Sequence, residues 1–188
     1  MMSYFAVEMT PGRYGGGFFE GKARFRLGNI KSDFSDVDIK FDTGCSVSTI
    51  PVKTIGISSL VCKKLKEKDI DDNTETIRSY GVETGGRFHS EPITKRQKMN
   101  CPALKFKHTI SDFEIEGVQI PISDIYLNYD RTGNVLIGMD ILNQMINHID
   151  ISQKTGHMLW LCAPRDSVGQ DFYDAMAEHF GIVYLDDL

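Results

Sequence analysis

The sequence lacks a long apolar run. None of its hydrophobic stretches approaches the roughly 20 residues that a membrane-spanning helix needs, and the N-terminal Met1-Met2-Ser3-Tyr4-Phe5 has no basic segment followed by an apolar one. We therefore expect neither a signal peptide nor a membrane contact. The formal net charge is -5 and no basic stripe is present, which argues against nucleic-acid binding.

The sequence also lacks paired metal ligands. The cysteines are widely spaced without a C-x-x-C pair, and the histidines lack the spacing of zinc ligands. These residues are Cys45, Cys62, Cys101, Cys162, His89, His108, His148, His157 and His179. We predict no metal and no cofactor, and we interpret the cysteines as reduced thiols of a cytoplasmic protein. The sequence alone also permits two disulfide bonds.

Alternation of apolar and polar residues predicts β-strands in two early segments. The apolar residues are Ala23, Phe25 and Leu27 in the first segment and Val37, Ile39 and Phe41 in the second. A loop is predicted between them, from Gly28 to Asp36. Strand character returns over residues 104–127 and in the short apolar run Val135-Leu136-Ile137-Gly138. With 41% hydrophobic residues, a chain of this length is expected to form one compact domain.

A helix is predicted near the C-terminus from an apolar stripe with a spacing of four residues. The stripe consists of Phe172, Met176 and Phe180. We expect this helix to begin at Asp166 or Ser167 and to end at Gly181, and we expect residues 182–185 to form a strand. An earlier, shorter helix is expected after Ser58, whose side chain is suited to cap it.

The run with the clearest chemical implication is Asp42-Thr43-Gly44, which follows the second predicted strand. Hydrolysis of an amide by water needs one carboxylate that takes a proton from the water and one carboxylic acid that polarises the carbonyl. Two carboxyls held close together cannot both ionise, so they share a proton. Gly44 would allow close approach to a partner carboxylate, and the Thr43 hydroxyl would brace the loop. The alternative interpretation of Asp42 is a turn residue that bonds its own backbone.

A second motif strengthens this interpretation. The run Phe41-Asp42-Thr43-Gly44-Cys45-Ser46 is followed, later in the chain, by Val135-Leu136-Ile137-Gly138-Met139-Asp140-Ile141-Leu142. Together the two motifs resemble the retropepsin-like aspartic peptidases, which include the retroviral proteases and their bacterial relatives. In that family the first motif is the catalytic loop, and the second is an apolar strand that threads behind the loop and leads into a short helix. The resemblance covers about residues 18–163.

The resemblance implies a mainly β fold, namely a small closed antiparallel β-barrel with one or two short helices and a C-terminal helical extension. By this resemblance, Asp42 would be the catalytic carboxylate, and Thr43 and Gly44 would complete the catalytic loop. Gly138 would allow the threading strand to pass close by. We assign residues 1–165 to the peptidase domain and residues 166–188 to an extension packed on the domain or on the dimer.

A single Asp-Thr-Gly triplet occurs in the sequence. The runs Asp130-Arg131-Thr132-Gly133 and Glu83-Thr84-Gly85 are not second copies, because an arginine intervenes in the first and Glu replaces Asp in the second. A two-carboxylate mechanism therefore needs two chains. We expect a C2 homodimer in which Asp42 of each subunit meets at the axis.

Family members close their cleft with a glycine-rich hairpin, called the flap, which lies between the two motifs. Residues 69–100 are polar, contain clustered glycines and are predicted to be the most mobile region. We assign the flap to residues 79–86, and its predicted substrate-binding residues are Tyr80, Gly81, Val82, Gly85 and Gly86. The alternative is an ordinary glycine-rich surface turn, because the stretch between the motifs is longer here than in retroviral members.

The predicted function is that of an aspartic endopeptidase, which hydrolyses a peptide or protein substrate by activating water between two Asp42 carboxylates. One alternative is a non-catalytic dimer of the same fold that binds extended peptides or serves as a scaffold. Another is a thiol-dependent enzyme that uses Cys45 or Cys62 with a distant histidine. Asp42→Asn separates the first two, because it abolishes cleavage only if Asp42 is catalytic.

Overall fold

The computed structural model describes residues 2–11, 17–30, 32–80, 87–88, 94–151 and 158–181. The strands in these ranges are β1 (Phe5–Pro11), β2 (Gly17–Leu27), β3 (Ser32–Phe41), β4 (Thr49–Pro51), β5 (Thr76–Tyr80), β6 (Arg87–Phe88), β7 (Leu104–Ile115), β8 (Val118–Gln119), β9 (Asp124–Asn128), β10 (Val135–Ile137), β11 (Met145–Ile151) and β12 (Met158–Pro164). The helices are α1 (Ser59–Asp71), α2 (Lys95–Asn100), α3 (Met139–Leu142), α4 (Gln170–Phe180) and a short 3-10 helix (Arg165–Ser167).

Strand pairing closes a barrel. The ring runs from β2 through β3, β10, β4, β9 and β7, and β7 pairs again with β2. The prediction of a small closed β-barrel in a mainly β protein is therefore confirmed. The barrel is not purely antiparallel, because β10 runs parallel to β3 and β4 runs parallel to β9.

The barrel core follows the predicted alternation. Ala23, Phe25 and Leu27 of β2 are buried, and so are Ile39 and Phe41 of β3. The predicted loop between the two strands is too long, because β3 already begins at residue 32. The register of the pair shifts between Ala23 and Phe25, where the β3 strand carries an extra residue, and Asp36 there has a φ of 54°. Such a bulge interrupts the alternation from which the strand was predicted.

Helix α1 buries charged residues, Lys66 and Asp69, beside the apolar residues Cys62 and Ile70. Its start at Ser58 is confirmed, since the Ser58 hydroxyl accepts a hydrogen bond from the Val61 amide at 3.4 Å. The Lys66 ammonium is buried, donates to the Met99 carbonyl at 3.0 Å and pairs with Asp130. Charged side chains can be buried against the core when each has a partner. A search of the sequence for apolar helix faces does not predict such contacts.

Strands β1, β12 and β11 form an antiparallel extension of the barrel sheet. Trp160 of β12 faces the barrel core, whereas Leu161 packs with Phe172 and Met176 of α4 in a second apolar cluster. Helix α4 is thus the predicted C-terminal helix, and it covers the outer face of this extension.

The predicted start of α4 is wrong. Asp166 and Ser167 lie in the 3-10 helix, and α4 begins only after Gly169, which provides no side-chain cap. The predicted end is confirmed, because Gly181 adopts a left-handed conformation with a φ of 65°. The strand predicted over residues 182–185 lies outside the described residues. Among the helices within the described ranges, none is long and apolar enough to cross a membrane.

Candidate active site

Asp42 lies directly beyond the last residue of β3, at the start of a turn that we call the Asp42 loop (residues 42–48). Its amide donates to the Ile137 carbonyl at 3.0 Å, because β10 runs parallel to β3 with Ile137 beside Phe41. The loop closes tightly, since the Cys45 amide donates to the Asp42 carbonyl at 3.1 Å. Strands β3 and β10 together therefore fix the position of the Asp42 backbone.

The carboxylate of Asp42 is half-buried and has two different oxygens. Oδ1 accepts a hydrogen bond from the Gly44 amide at 2.9 Å, which is the local bond expected of a turn aspartate. Oδ2 has no hydrogen-bond partner among the described residues. One oxygen thus orients the side chain, and the other remains available to a water molecule or to a second carboxyl.

The next two residues of the loop are exposed. A Cβ added at Gly44 would lie 3.2 Å from Asp42 Oδ1, so a side chain here would crowd the carboxylate. The Thr43 hydroxyl has no hydrogen-bond partner in the part of the chain that the structure describes. The predicted bracing of the loop by Thr43 is therefore not made within these residues, and the hydroxyl faces outward.

Gly138 lies directly behind the Asp42 loop. A Cβ at this position would stand 2.7 Å from the Cys45 carbonyl oxygen and 2.9 Å from the Val47 carbonyl oxygen, which are distances that real Cβ atoms do not show. The following amide, of Met139, donates to the same Cys45 carbonyl at 2.8 Å. The strand that ends at Gly138 thus passes as close to the loop as the second motif predicts.

Two polar residues behind the loop were not predicted. Ser48 is fully buried (0% exposed), and its hydroxyl donates to Asp140 Oδ1 at 2.6 Å while it accepts from the Gly138 amide at 2.8 Å. Asp140 Oδ1 also accepts from the Ser48 amide at 2.8 Å. The sequence held no local cue to this pairing, although Asp140 belongs to the second motif.

A pocket of about 360 Å³ opens beside Asp42 and Thr43. Its apolar wall consists of Met9, Phe18, Phe19, Phe41, Leu136, Ile149 and Trp160. At the rim, the Lys40 ammonium lies 4.3 Å from the centroid of the Phe18 ring and 2.7 Å from Glu20 Oε1. The pocket is therefore suited to an apolar group, with a paired lysine at its edge.

Cys62, one of the two cysteines of the thiol-dependent alternative, lacks the surroundings of a nucleophile. The Cys45 thiol donates to the Val47 carbonyl at 3.0 Å, and Cys62 is buried. Burial raises the pKa of the Cys62 thiol, which is the opposite of what a nucleophile needs. Across the described residues, no group of three His, Cys, Asp or Glu side chains is arranged to hold a metal ion.

The predicted flap lies only partly within the described residues. Tyr80 is the last residue of β5 and pairs with Arg87 of β6 in an antiparallel arrangement. Gly81, Val82, Gly85 and Gly86 lie outside the described residues. Strand β5 joins the barrel through β7. The backbone on either side of residues 81–86 therefore has hairpin pairing, and the substrate-binding role of the flap stays a prediction.

No protein-family model and no curated protein matches the chain. A crystal structure of a retropepsin-like aspartic protease from Rickettsia conorii is similar over 85% of this chain and 92% of that chain, with a TM-score of 0.43 and 12% sequence identity.

Proposed function

We propose that the protein is an aspartic endopeptidase that works as a homodimer, with Asp42 of each subunit forming the catalytic pair. The observation that carries the proposal is the construction of the Asp42 loop. Asp42 follows a buried strand, its Oδ1 is anchored by the Gly44 amide at 2.9 Å, and Gly138 passes behind it without room for a side chain. This backing gives the carboxylate a fixed direction, which general acid and base catalysis requires.

The chemistry needs two carboxyls in different protonation states. Two Asp42 side chains that meet at a two-fold axis share one proton, because the second ionisation would place like charges side by side. The ionised carboxyl takes a proton from a water molecule, and the protonated one hydrogen-bonds the scissile carbonyl. The water oxygen forms a bond to the carbonyl carbon, the C–N bond then breaks, and the proton taken from the water passes to the nitrogen of the leaving amine, so that the pair again holds one shared proton.

The second carboxyl is expected from a second chain. No carboxylate of the described residues forms a hydrogen bond or an ion pair with Asp42. Thr43 and Gly44 are exposed, so the face of the loop that carries them is accessible to another subunit. A symmetric dimer would place the same loop against itself, which is the isologous contact that a C2 axis generates.

The substrate in this proposal is an extended peptide or a protein segment. The apolar pocket beside Asp42 would take a side chain next to the scissile bond, and residues 79–86 of each subunit would cover the peptide. No metal and no cofactor takes part. All four cysteines are free thiols, and three of them are buried, which fits work in a reducing compartment such as the cytoplasm.

Cleavage of a diverse peptide library tests this proposal. The purified protein and its Asp42→Asn variant are assayed side by side from pH 4 to pH 8, and sedimentation reports the assembly of each. We expect cleavage by the parent alone, with a pH profile set by two coupled carboxyls. Equal cleavage by both proteins would refute the role of Asp42. A stable dimer that cleaves nothing in either form would support the non-catalytic, peptide-binding alternative.

A further inference from the structure

Buried Ser48 and half-buried Asp140 form a link between the Asp42 loop and α3. Asp140 Oδ1 accepts hydrogen bonds from the Ser48 amide at 2.8 Å, from the Ser48 hydroxyl at 2.6 Å and from the Ile141 amide at 2.9 Å. The Ser48 hydroxyl in turn accepts from the Gly138 amide at 2.8 Å. Because Ser48 is fully buried, water does not compete for its bonds.

The link reaches Asp42 through three consecutive residues at the junction of β10 and α3. The Ile137 carbonyl accepts from the Asp42 amide at 3.0 Å, and the Met139 amide donates to the Cys45 carbonyl at 2.8 Å. Gly138, between them, is the residue whose amide Ser48 binds. A shift of Gly138 would therefore move both attachments of the Asp42 loop together.

We propose that Ser48 and Asp140 are positioning residues that set the distance between the two catalytic carboxyls of the dimer. The proposal rests on the proposed function, because it assigns to these residues the geometry of the Asp42 pair. Neither residue is placed in contact with substrate. Both act through Gly138 and the backbone of the Asp42 loop.

The hydrogen bonds and the charge of Asp140 have separable effects. Its Oδ1 receives all three of the bonds named above, and Oδ2 receives only a second contact from the Ser48 amide at 2.9 Å. Asp140→Asn keeps an oxygen acceptor in the place of Oδ1, removes the charge and gives up the second contact with the Ser48 amide at Oδ2. Asp140→Ala removes both. The Asn variant is therefore the control that separates geometry from electrostatics.

Charge effects need this control because other titratable groups lie around Asp140. Lys105 of β7 interacts electrostatically with Asp140 and with Cys45, and Tyr126 of β9 interacts with Asp140. Burial lowers the pKa of the Lys105 ammonium, and burial with the charge of Glu75 raises the pKa of Tyr126 to about 12. Loss of the Asp140 charge would change the surroundings of these groups even if the loop did not move.

The pH profile provides a readout that a purely structural role would not alter. The separation between the two apparent pKa values of a carboxyl pair grows as the carboxyls approach each other. If the Asp42 loop loosens, the two carboxyls move apart on average. Their apparent pKa values then come closer together, and the acidic and basic limbs of the pH profile converge. A variant that merely unfolds more easily loses active protein but keeps the limbs of the profile in place.

The experiment measures kcat, KM and the pH dependence of kcat/KM on a peptide that the parent cleaves. The variants are Ser48→Ala, Asp140→Ala and Asp140→Asn, each checked for folding and for dimer content. Ser35→Ala serves as a matched control, because it removes an exposed hydroxyl near the far end of the strand that leads to Asp42. Should Ser48→Ala fail to fold, Asp140→Ala decides, since it leaves the bond between Ser48 and Gly138 in place.

We expect Ser48→Ala and Asp140→Ala to lower kcat per folded dimer about 10- to 100-fold, with the limbs of the pH profile drawn together. Asp140→Asn and Ser35→Ala should keep the parent profile. An unchanged profile in Ser48→Ala, or an equal loss in Asp140→Asn and Asp140→Ala, would overturn the positioning role while leaving the peptidase intact. A parent without Asp42-dependent cleavage would instead overturn the proposed function, and this inference with it.

Discussion

The amide of Asp42 donates a hydrogen bond to the carbonyl of Ile137 at 3.0 Å, across residues that are 95 positions apart in the sequence. The strand of Ile137 runs parallel to the strand that leads into Asp42, and no hairpin can make such a pairing. The candidate catalytic residue is therefore held by a long-range contact. Its geometry depends on the barrel being closed, so changes to the packing behind the loop should be felt at the carboxylate.

Gly138→Ala should destabilise the fold by about 1–3 kcal/mol, because the new Cβ would overlap backbone atoms that cannot rotate away. The nearest of these, the Cys45 carbonyl oxygen, would lie at 2.7 Å. Urea denaturation of the folded protein measures the loss. Gly117→Asn is the control and should cost less, since no atom lies within 4 Å of a Cβ there and asparagine bears the strain of its φ of 80° better than most residues do. Equal stability of parent and Gly138→Ala would contradict the close passage of the two segments.

Tyr129→Phe should cost about 1–3 kcal/mol of unfolding free energy. The Tyr129 hydroxyl is buried and donates to Asp69 Oδ2 at 2.5 Å, and the same oxygen lies 2.7 Å from His108 Nε2. Without the hydroxyl, the buried carboxylate of α1 loses one of its donors. The matched control is Tyr126→Phe, whose hydroxyl reaches Glu75 at 3.2 Å on the surface and should matter less. An unchanged free energy of unfolding in Tyr129→Phe would show that α1 does not depend on this buried cluster.

The N-terminal segment should be held to α4 more weakly in acid. The Ser3 amide donates to Asp171 Oδ2 at 2.8 Å and the Ser3 hydroxyl donates to Oδ1, and these bonds lower the pKa of Asp171. A carboxyl whose pKa is lower in the folded state stabilises the protein above the pKa of the unfolded chain, about 4. That contribution is lost as the pH falls through the folded-state value.

Asp171→Asn should therefore lower the melting temperature at pH 7 and have a smaller effect at pH 2, because the parent carboxyl takes up its proton as the pH falls through its lowered folded-state pKa. Thermal unfolding followed by circular dichroism at both pH values measures the difference. Asp174→Asn, which changes a carboxyl of the same helix that does not bond Ser3, is the control. A loss of the same size at both pH values would show that the charge of Asp171 does not anchor the N-terminus.

Local patterns were enough to predict the parts of the site that are short in sequence. Alternation located β2 and β3, and the two motifs placed Asp42 at a strand end and Gly138 at the end of β10. These features could be predicted because each depends on neighbouring residues: a strand followed by a turn, or a glycine after an apolar run. The same reasoning correctly ended α4 at Gly181.

Features that depend on distant contacts were missed. Ser48 and Asp140 are 92 positions apart, and neither has an unusual neighbourhood that would indicate a hydrogen bond. The buried charged residues of α1 were missed because their partners are distant in the sequence. These partners lie in β7 and after β9. Helix α2 could have been found, since Thr94 and Gln97 form a capping box, but the polar character of residues 69–100 indicated mobility instead.

Mixed dimers show whether catalysis needs one Asp42 from each of two chains. Parent and Asp42→Asn chains with different tags are mixed at equal amounts, allowed to exchange subunits, and assayed at constant total protein. Capture through both tags confirms that mixed dimers have formed. If both carboxyls are required, only dimers of two parent chains are active, and the mixture should retain about one quarter of the parent activity. Retention of about one half would mean that each chain acts alone, and would contradict the account.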